Sequence, residues 1–210
     1  MPDAILLDHP LVAHHLSSLR DVSTSPAEFR CLVRRLAVLL AYQATQDLEL
    51  EAVTVQTPVD QAAGKRIRQR VGLSPILRAG LGMVDPILDL IPEAEVWHLG
   101  LYRNEETAQP VEYYSKLELG RPVDVCFVLD PMLATGGSAI VAIEALKKWG
   151  VKSIRMLSII ASKEGIAAVR KAAPDVAIHV CAIDDVLNAR KFIVPGLGDA
   201  GDRTFNTLPH

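Results

Sequence analysis

The chain has 210 residues, half of them hydrophobic and 22% charged, with a formal net charge of −3. This size and balance indicate one well-packed domain, residues 1–210, and argue against a disordered chain. A slightly acidic chain has no general field that attracts nucleic acid, so an anionic ligand must be held by a local cluster of donors. The apolar runs are too short to span a membrane and no export signal is seen, which predicts a cytoplasmic protein with neither nucleic-acid nor membrane partners.

The cysteines and histidines give no pattern of cross-links or metal ligands. Cys31, Cys126 and Cys181 are odd in number, widely spaced and set among apolar residues. They are predicted to be reduced core residues rather than a disulfide framework. His14 and His15 are adjacent, so on a helix they point about 100° apart. No pair has the spacing of zinc ligands, and we expect no structural zinc.

The N-terminal part of the chain, residues 10–46, is predicted to be a helical scaffold. Ser25–Glu28 is a capping box with proline at the first helical position. Hydrophobic residues then recur at helical spacing to about Gln46. A shorter helix is predicted over Pro10–Leu19.

From Ala52 onward, apolar runs typical of strands alternate with segments of helical spacing. The predicted strands are Val53–Thr57, Val71–Leu77, Val96–Leu101, Val123–Leu129, Ile154–Ala161 and Val176–Ile183. The predicted helices are Gly80–Ile91, Ser138–Trp149 and Glu164–Ala173. This alternation predicts an α/β fold with a mainly parallel, twisted sheet flanked by helices.

One polar segment between two predicted strands fits neither pattern. Tyr102–Tyr114 is rich in Asn, Glu, Thr and Gln, which is typical of a mobile flap or hairpin and, on composition alone, equally of a solvated loop. Arg103, at its mouth, is placed to close over a bound polyanion, and the alternative is an ordinary surface arginine.

The strongest chemical signal is a strand that ends in an acid and is followed by a Thr-Gly-Gly-Ser turn and a helix, at Asp130–Ser138. A helix N-terminus offers free N–H groups, and glycines let that backbone approach a phosphate closely. The lysine of a nucleotide-triphosphate P-loop is missing, so ATP hydrolysis is not indicated. Asp130 is interpreted as an acceptor for sugar hydroxyls rather than as a metal ligand. The alternative, a plain turn capped by Ser138, seldom needs two glycines and an acid.

Two more glycine-rich turns have residues that are suited to binding a ligand. Arg78, at a strand end before Gly80 and Gly82, is suited to bidentate contact with phosphate oxygens. Near the C-terminus, Gly196–Gly201 reads G-x-G-x-x-G, but only nine residues follow, so no dinucleotide-binding βαβ unit can form. Such a loop instead exposes backbone N–H and C=O groups that can form hydrogen bonds with the edge of a small planar ring.

Together these segments resemble the uracil phosphoribosyltransferases, a branch of the type I phosphoribosyltransferases. The matching segments are His9–Val12, Pro75–Met83, Tyr102–Thr107, Asp130–Ser138 and Ile193–Arg203. The resemblance implies that 5-phosphoribosyl 1-diphosphate (PRPP) and uracil give UMP and diphosphate, as in pyrimidine salvage, with Mg²⁺ held through the diphosphate. Members of the family are homo-oligomers, dimers or tetramers, and some are activated by GTP.

The resemblance also assigns roles to residues. The implied PRPP-binding residues are Arg78, Arg103, Asp130, Pro131, Met132, Leu133, Ala134, Thr135, Gly136, Gly137, Ser138 and Asp199. Among these, Ala134–Ser138 hold the 5-phosphate, Asp130 the ribose hydroxyls, and the two arginines the diphosphate. The implied uracil-binding residues, in a C-terminal hood over residues 184–210, are Ile193, Gly198, Asp199 and Ala200. Arg103, Asp130 and Asp199 are the expected catalytic residues.

The chain departs from the family pattern just before the uracil loop, and two other functions stay open. Lys191-Phe192 stands where the family has a Gly-Tyr pair, and Ala189-Arg190 precedes it in place of an acid-histidine pair. Pro131 follows Asp130 where other type I enzymes carry a second acid, which is normal for the uracil branch and argues against a purine enzyme. The alternatives are a phosphoribosyltransferase for another base, since the phosphate turn reads only the sugar-phosphate, and a regulatory protein that senses the phosphorylated ribose without turnover.

Overall fold

The computed structural model describes residues 4–103, 110–115 and 121–207, and the side chains of residues 4–98 and 121–207. The strands are β1 (Ile5–Leu6), β2 (Leu50–Gln56), β3 (Gln61–Ile67), β4 (Val71–Pro75), β5 (Glu95–Val96), β6 (Leu99–Arg103), β7 (Pro110–Ser115), β8 (Val125–Leu129), β9 (Met132–Leu133), β10 (Ser153–Ser162), β11 (Ala177–Asp184), β12 (Val186–Leu187) and β13 (Ile193–Val194). The helices are α1 (Pro10–Arg20), α2 (Pro26–Ala44), α3 (Val84–Leu90), α4 (Gly137–Trp149), α5 (Lys163–Ala172) and α6 (Ala200–Phe205).

A seven-stranded sheet lies at the centre of the fold. Its order is β1-β11-β10-β8-β4-β5, with β9 also paired to β10, and every pairing is parallel. Parallel neighbours need crossover connections, which the intervening helices supply. The predicted mainly parallel sheet flanked by helices is confirmed.

Two hydrophobic layers cover the two faces of the sheet, and strand β8 shows the division. Phe127 and Leu129 pack in the layer that contains α2 and α3, whereas Cys126 and Val128 pack in the layer that contains α4 and α5. All five residues of β8 are buried, because a strand covered on both faces alternates between two cores.

The N-terminal helices begin where the capping signals predict. The Ser25 hydroxyl accepts the N–H of Glu28 at 3.3 Å, and Pro26 is the first residue of α2. Helix α2 ends at Ala44, two residues before the predicted end, a difference within the usual scatter of helix ends.

The predicted helix Gly80–Ile91 is divided in the structure. Ala79–Met83 forms a 3-10 turn, and α3 starts only at Val84. Pro86 lies in the first turn of α3, where its missing N–H is tolerated, but it cannot continue a helical hydrogen-bond ladder from the preceding turn.

The predicted strand Val96–Leu101 is also divided. Its start, β5, belongs to the central sheet, and its end, β6, pairs antiparallel with β7 in a separate hairpin. Two more antiparallel pairs, β2–β3 and β12–β13, lie outside the central sheet. Strand β3 is missing from the sequence prediction because the apolar residues of Gln61–Ile67 are only two alanines and one isoleucine, and most of the segment is exposed.

The prediction of three core cysteines is wrong at one position. Cys126 and Cys181 are buried and unpaired, whereas Cys31 is exposed. The buried face of α2 is formed by residues such as Phe29, Leu32 and Val33, and Cys31 falls on the opposite side. Within the described residues, every helix is too short or too polar to cross a bilayer.

Candidate active site

The site forms at the carboxyl ends of β4 and β8, which lie side by side in the sheet. The N–H of Ile76 donates to the carbonyl of Leu129 at 2.9 Å, so the chain leaving β4 stays against the chain leaving β8. A Cβ atom at Gly80 would lie 2.3 Å from the Leu129 oxygen. Glycine is therefore required there for the Arg78 turn to pack beside Asp130. The packing of Gly80 against Leu129 therefore brings together two of the predicted motifs, the Arg78 turn and the Asp130 turn.

Asp130 and Pro131 interrupt an otherwise continuous strand. Strands β8 and β9 pair with β10 in the same register on either side of the interruption. Pro131 has no N–H for the ladder, but its carbonyl accepts the N–H groups of Ile159 and Ile160 at 3.1 and 3.0 Å. The chain is thus held to β10 on both sides of Asp130. Pro131 and Leu133 are buried, and Met132 is half-buried, so they shape the turn from below.

The turn that follows opens the N-terminus of α4. Gly136 is the N-cap residue with φ of +84°, a left-handed conformation that favours glycine. The helix begins at Gly137, one residue before the predicted start at Ser138, and no side chain hydrogen-bonds to its cap in the described part of the chain. Thr135 and Ser138 are half-buried beside it. The geometry is that of an anion site, because the first N–H groups of a helix have no partner within the helix and lie at its positive dipole end.

Helix α5 supports this turn from beneath, through residues that the sequence analysis missed. A Cβ atom at Gly165 would lie 2.4 Å from the carbonyl oxygen of Ala134 and 2.8 Å from that of Leu133. The Ser162 hydroxyl donates to the same Ala134 carbonyl and accepts the N–H of Gly165 at 2.8 Å. These contacts fix the height of the turn above α5. The Ser-x-x-Gly spacing at a strand end was visible in the sequence, but its partner was not.

The electrostatics of the cleft are set by three carboxylates and one arginine. Burial raises the pKa of Asp130, and the negative charge of Asp199 raises it further, while the N–H of Met132 at 3.2 Å opposes them; the result is a pKa of about 7. Arg78 donates to Asp202 at 3.1 Å. Asp202 is nearly buried, and the sequence analysis gave it no role.

The C-terminal glycine loop reaches the same cleft. A Cβ atom at Gly201 would lie 3.1 Å from Oδ1 of Asp199 and 3.6 Å from Nη2 of Arg78, so these three residues are neighbours. Asp199 caps α6 by accepting the N–H of Asp202 at 2.9 Å. The glycine-rich turn Gly196–Gly201 thus runs into a short helix, Ala200–Phe205. Ala200 is its first residue and is buried.

The other predicted acceptor residues lie on the approach to this helix. Ile193 is buried in β13, and Gly198 has φ of +79°, where glycine is favoured. Lys191 forms part of the β12–β13 turn with φ of +63°. The glycine that the resemblance implies at this position would match that left-handed conformation, so lysine occupies a backbone geometry that suits glycine better.

The flap is described only in its backbone strands. Strands β6 and β7 form an antiparallel hairpin that runs along the predicted flap, Tyr102–Tyr114, which agrees with the hairpin interpretation. The side chain of Arg103 and all of residues 104–109 lie outside the described residues. The structure therefore leaves the predicted contact of Arg103 with a polyanion untested.

An open helix N-terminus, a carboxylate and an arginine converge at the carboxyl edge of a parallel sheet, where α/β enzymes bind their ligands. This arrangement suits a sugar-phosphate: the N–H groups can bind its phosphate, the carboxylate its hydroxyls, and the arginine a second anionic group. The fold and the cleft thus define the class of protein, a phosphoribosyltransferase, which is a pentosyl-transferring enzyme.

Known proteins agree. A family model described as uracil phosphoribosyltransferase matches residues 6–207. A protein of that name from Roseiflexus sp. (strain RS-1) is 58% identical over 207 residues, with 99% of this chain and 100% of the relative covered. Another from Halalkalibacterium halodurans is 54% identical over 212 residues, again covering 99% and 100%. This chain belongs to the uracil phosphoribosyltransferase family.

Solved structures support the fold. The AQ2163 protein from Aquifex aeolicus superimposes with a TM-score of 0.92 at 34% identity, covering 99% of this chain and 100% of that one. Adenine phosphoribosyltransferase from Leishmania donovani superimposes with a TM-score of 0.58 at 15% identity, covering 91% and 88%. The second likeness concerns the fold alone.

Proposed function

We propose that this enzyme transfers the 5-phosphoribosyl group of PRPP to uracil, giving UMP and diphosphate, and that it serves pyrimidine salvage in the cytoplasm as a single phosphoribosyltransferase domain. The observation that carries the proposal is the meeting of the Asp130 turn, Arg78 and the glycine loop in one cleft, in a chain of this family.

For the donor, we assign the 5-phosphate to the turn Ala134–Ser138, whose helix N-terminus has no side-chain cap among the described residues. Asp130 accepts the ribose hydroxyls. Arg78, more than half exposed and held by Asp202, binds the diphosphate, and Arg103 joins it from the flap. Support for these roles comes from the geometry of the turn and from the charge of each side chain.

For the acceptor, we assign uracil to main-chain groups of Ile193 and of residues 198–200. A pyrimidine edge presents alternating donors and acceptors, which backbone C=O and N–H groups can match. Asp199 belongs to the proposed uracil-binding segment. It also neighbours Arg78 and raises the pKa of Asp130, which are both assigned to the donor, so we place it between the two substrates.

Mg²⁺ is part of this proposal as a cation held mainly by the diphosphate. The fit rests on charge: Asp130 and Asp199 bring two carboxylates into one cleft, so a donor that carries diphosphate needs a cation to offset its own negative charge there. When bound, Mg²⁺ supplies neutralisation of the leaving diphosphate.

The chain's own residues orient the reactants. Loss of diphosphate from the anomeric carbon develops positive charge on the ribose, and the carboxylates of Asp130 and Asp199 stabilise that charge. The turn and the glycine loop hold the sugar and uracil at reacting distance. Closure of residues 102–114 excludes water, whose attack would hydrolyse the activated sugar.

We also propose a homo-oligomer, a dimer or tetramer. The β2–β3 hairpin stands outside the central sheet and exposes Leu50, Val55 and Ile67. A two-stranded hairpin is marginally stable alone in water, so an apolar surface from a second copy would stabilise it. On family resemblance alone, we add GTP as an activator.

One assay tests the central proposal. The purified enzyme is incubated with Mg²⁺, PRPP and one of uracil, cytosine, hypoxanthine, guanine or orotate, and the nucleotide formed is identified. We expect UMP from uracil, at a higher rate when GTP is added. The absence of UMP would reject the assignment. Formation of a different nucleotide would show that its base, and not uracil, is the acceptor.

A further inference from the structure

Arg20, the last residue of α1, reaches the carboxyl end of β11 and forms a bidentate ion pair there. Its Nη1 and Nη2 donate to Oδ2 and Oδ1 of Asp184 at 2.7 and 2.8 Å. The Asp184 side chain is 7% exposed and that of Arg20 is 23% exposed. Two parallel bonds between planar groups fix orientation as well as distance. Neither residue was singled out by the sequence, because 164 positions separate them.

The pair also binds both backbone groups of one loop residue. Nη1 of Arg20 donates to the carbonyl of Gly196 at 2.7 Å, and the N–H of Gly196 donates to Oδ2 of Asp184 at 3.0 Å. Gly196 has φ of +63°, and a Cβ atom there would lie 2.0 Å from the carbonyl oxygen of Ile193. The ion pair therefore fixes a turn that only glycine fits.

A second arginine fixes the next residue of the loop to the same helix. Nη1 of Arg203 donates to the carbonyls of Leu197 and Leu19, both at 2.8 Å. Its guanidinium also lies over the ring of Phe29, with Cζ 4.4 Å from the centroid. The C-terminal end of α1 is thus the reference point for residues 196 and 197, which lie between the two proposed uracil-binding segments.

We propose that Arg20 and Asp184 are positioning residues of the acceptor site, which act on uracil through Gly196. The inference rests on the proposed function of the glycine loop. Binding sites need their groups within about 0.5 Å of the productive geometry, and the loop groups at Ile193 and Gly198 depend on the turn between them. The Asp130 turn and Arg78 lie at the ends of β4 and β8 and at the start of α4, and among the described residues no hydrogen bond links the pair to these elements. Loss of the ion pair should therefore weaken the binding of uracil and leave the binding of PRPP nearly unchanged.

The test compares Arg20→Met with Lys147→Met, a matched removal of a cation from an ion pair with Asp175 on the exposed side of α4. KM for uracil is measured at saturating PRPP, and KM for PRPP at saturating uracil. In Arg20→Met we expect KM for uracil to rise about tenfold or more with KM for PRPP changed less than about twofold. Lys147→Met should leave both unchanged.

Two further variants keep the test decisive if Arg20→Met folds poorly. Arg20→Lys keeps the charge but lacks the fork that reaches Asp184 and Gly196 together, so KM for uracil should rise by a smaller factor, about threefold. Asp184→Asn should act in the same direction, and the double variant should show less than the sum of the two effects.

The outcomes are separable from those of the base assay. If the wild type forms no UMP, the proposed function fails before any variant is made. If the wild type is active and the Arg20 variants alter both KM values equally, or lower only kcat with both KM values intact, the pair is merely structural and the inference is overturned.

Discussion

The carboxylates of Asp130 and Asp199 come from distant parts of the chain and share one cleft. Asp130 follows β8, and Asp199 caps α6 more than sixty positions later. Burial raises the pKa of Asp130 and the charge of Asp199 raises it further, to about 7. A carboxyl group with that pKa changes its charge near neutral pH.

Donor binding should therefore depend on pH. Ionised Asp130 offers more acceptor capacity to ribose hydroxyls than the protonated acid does. We expect KM for PRPP to fall as the pH rises through about 7, in steady-state assays from acid to mildly alkaline pH. In Asp199→Asn the charge that raises the pKa of Asp130 is gone, while asparagine still caps the helix, so the midpoint should move to lower pH. An unmoved midpoint would contradict the coupling.

Replacement of Asp130 should affect the donor and spare the choice of base. Asp130→Asn removes the charge from the hydrogen bonds to the ribose, and we expect kcat/KM for PRPP to fall about 10- to 100-fold. The ratio of rates with uracil and cytosine should stay as in the wild type. Normal saturation by PRPP with a changed base preference would show that the residue serves the acceptor instead.

Gly165 should be intolerant of a side chain although it lies beneath the proposed phosphate turn rather than in it. Gly165→Ala would force its Cβ atom against the carbonyl oxygens of Leu133 and Ala134 and displace the phosphate turn. We expect a loss of about 1–3 kcal/mol in the free energy of unfolding. The same shift should lower kcat/KM for PRPP about tenfold or more.

Gly64→Ala is the matched control for that change. The nearest atom to a Cβ there is a methyl of Val53 at 3.4 Å, in the β2–β3 hairpin. Denaturant unfolding and PRPP kinetics should remain near the wild-type values. Equal losses in the two variants would mean that the effect at Gly165 is not specific to the phosphate turn.

Lys191→Gly should stabilise the protein. Glycine adopts a φ of +63° without the Cβ clash that lysine suffers, and the ion pair lost with Glu164 is exposed and long, at 3.5 Å. We expect the free energy of unfolding to increase by about 0.5–1 kcal/mol, once the entropy cost of glycine has been subtracted. In a thermal melt this corresponds to a rise of about 1–4 °C. Lys191→Ala keeps the clash, so a similar gain there would refute the backbone explanation.

The motifs that are contiguous in the chain were predictable. Asp130–Ser138 holds a strand end, two glycines and a helix start within nine residues, so the sequence alone placed an open helix N-terminus after an acid. The capping box at Ser25 was readable for the same reason, because the cap and its partner lie three positions apart. Continuous apolar runs likewise identified the buried strands, since a strand covered on both faces is apolar throughout.

The supports of the site were not predictable, because each joins residues far apart in the chain. Gly165 in isolation is an ordinary helix residue, and it matters only because the carbonyl of Ala134 lies where its side chain would be. Cys31 appeared to be a core residue until the buried face of α2 was known. Arg20 and Asp184 could each have been an exposed charge.

The sequence by itself determined the class of chemistry, because a phosphate turn is a local structure encoded by neighbouring residues. Only the tertiary structure decided what holds the glycine loop and what charges Asp130 faces. Arg20, Asp184 and Asp199 acquire their roles through distances set by the packing of α1, the central sheet and α6. Those distances depend on how two hydrophobic layers close over the sheet, which no short segment of the chain encodes.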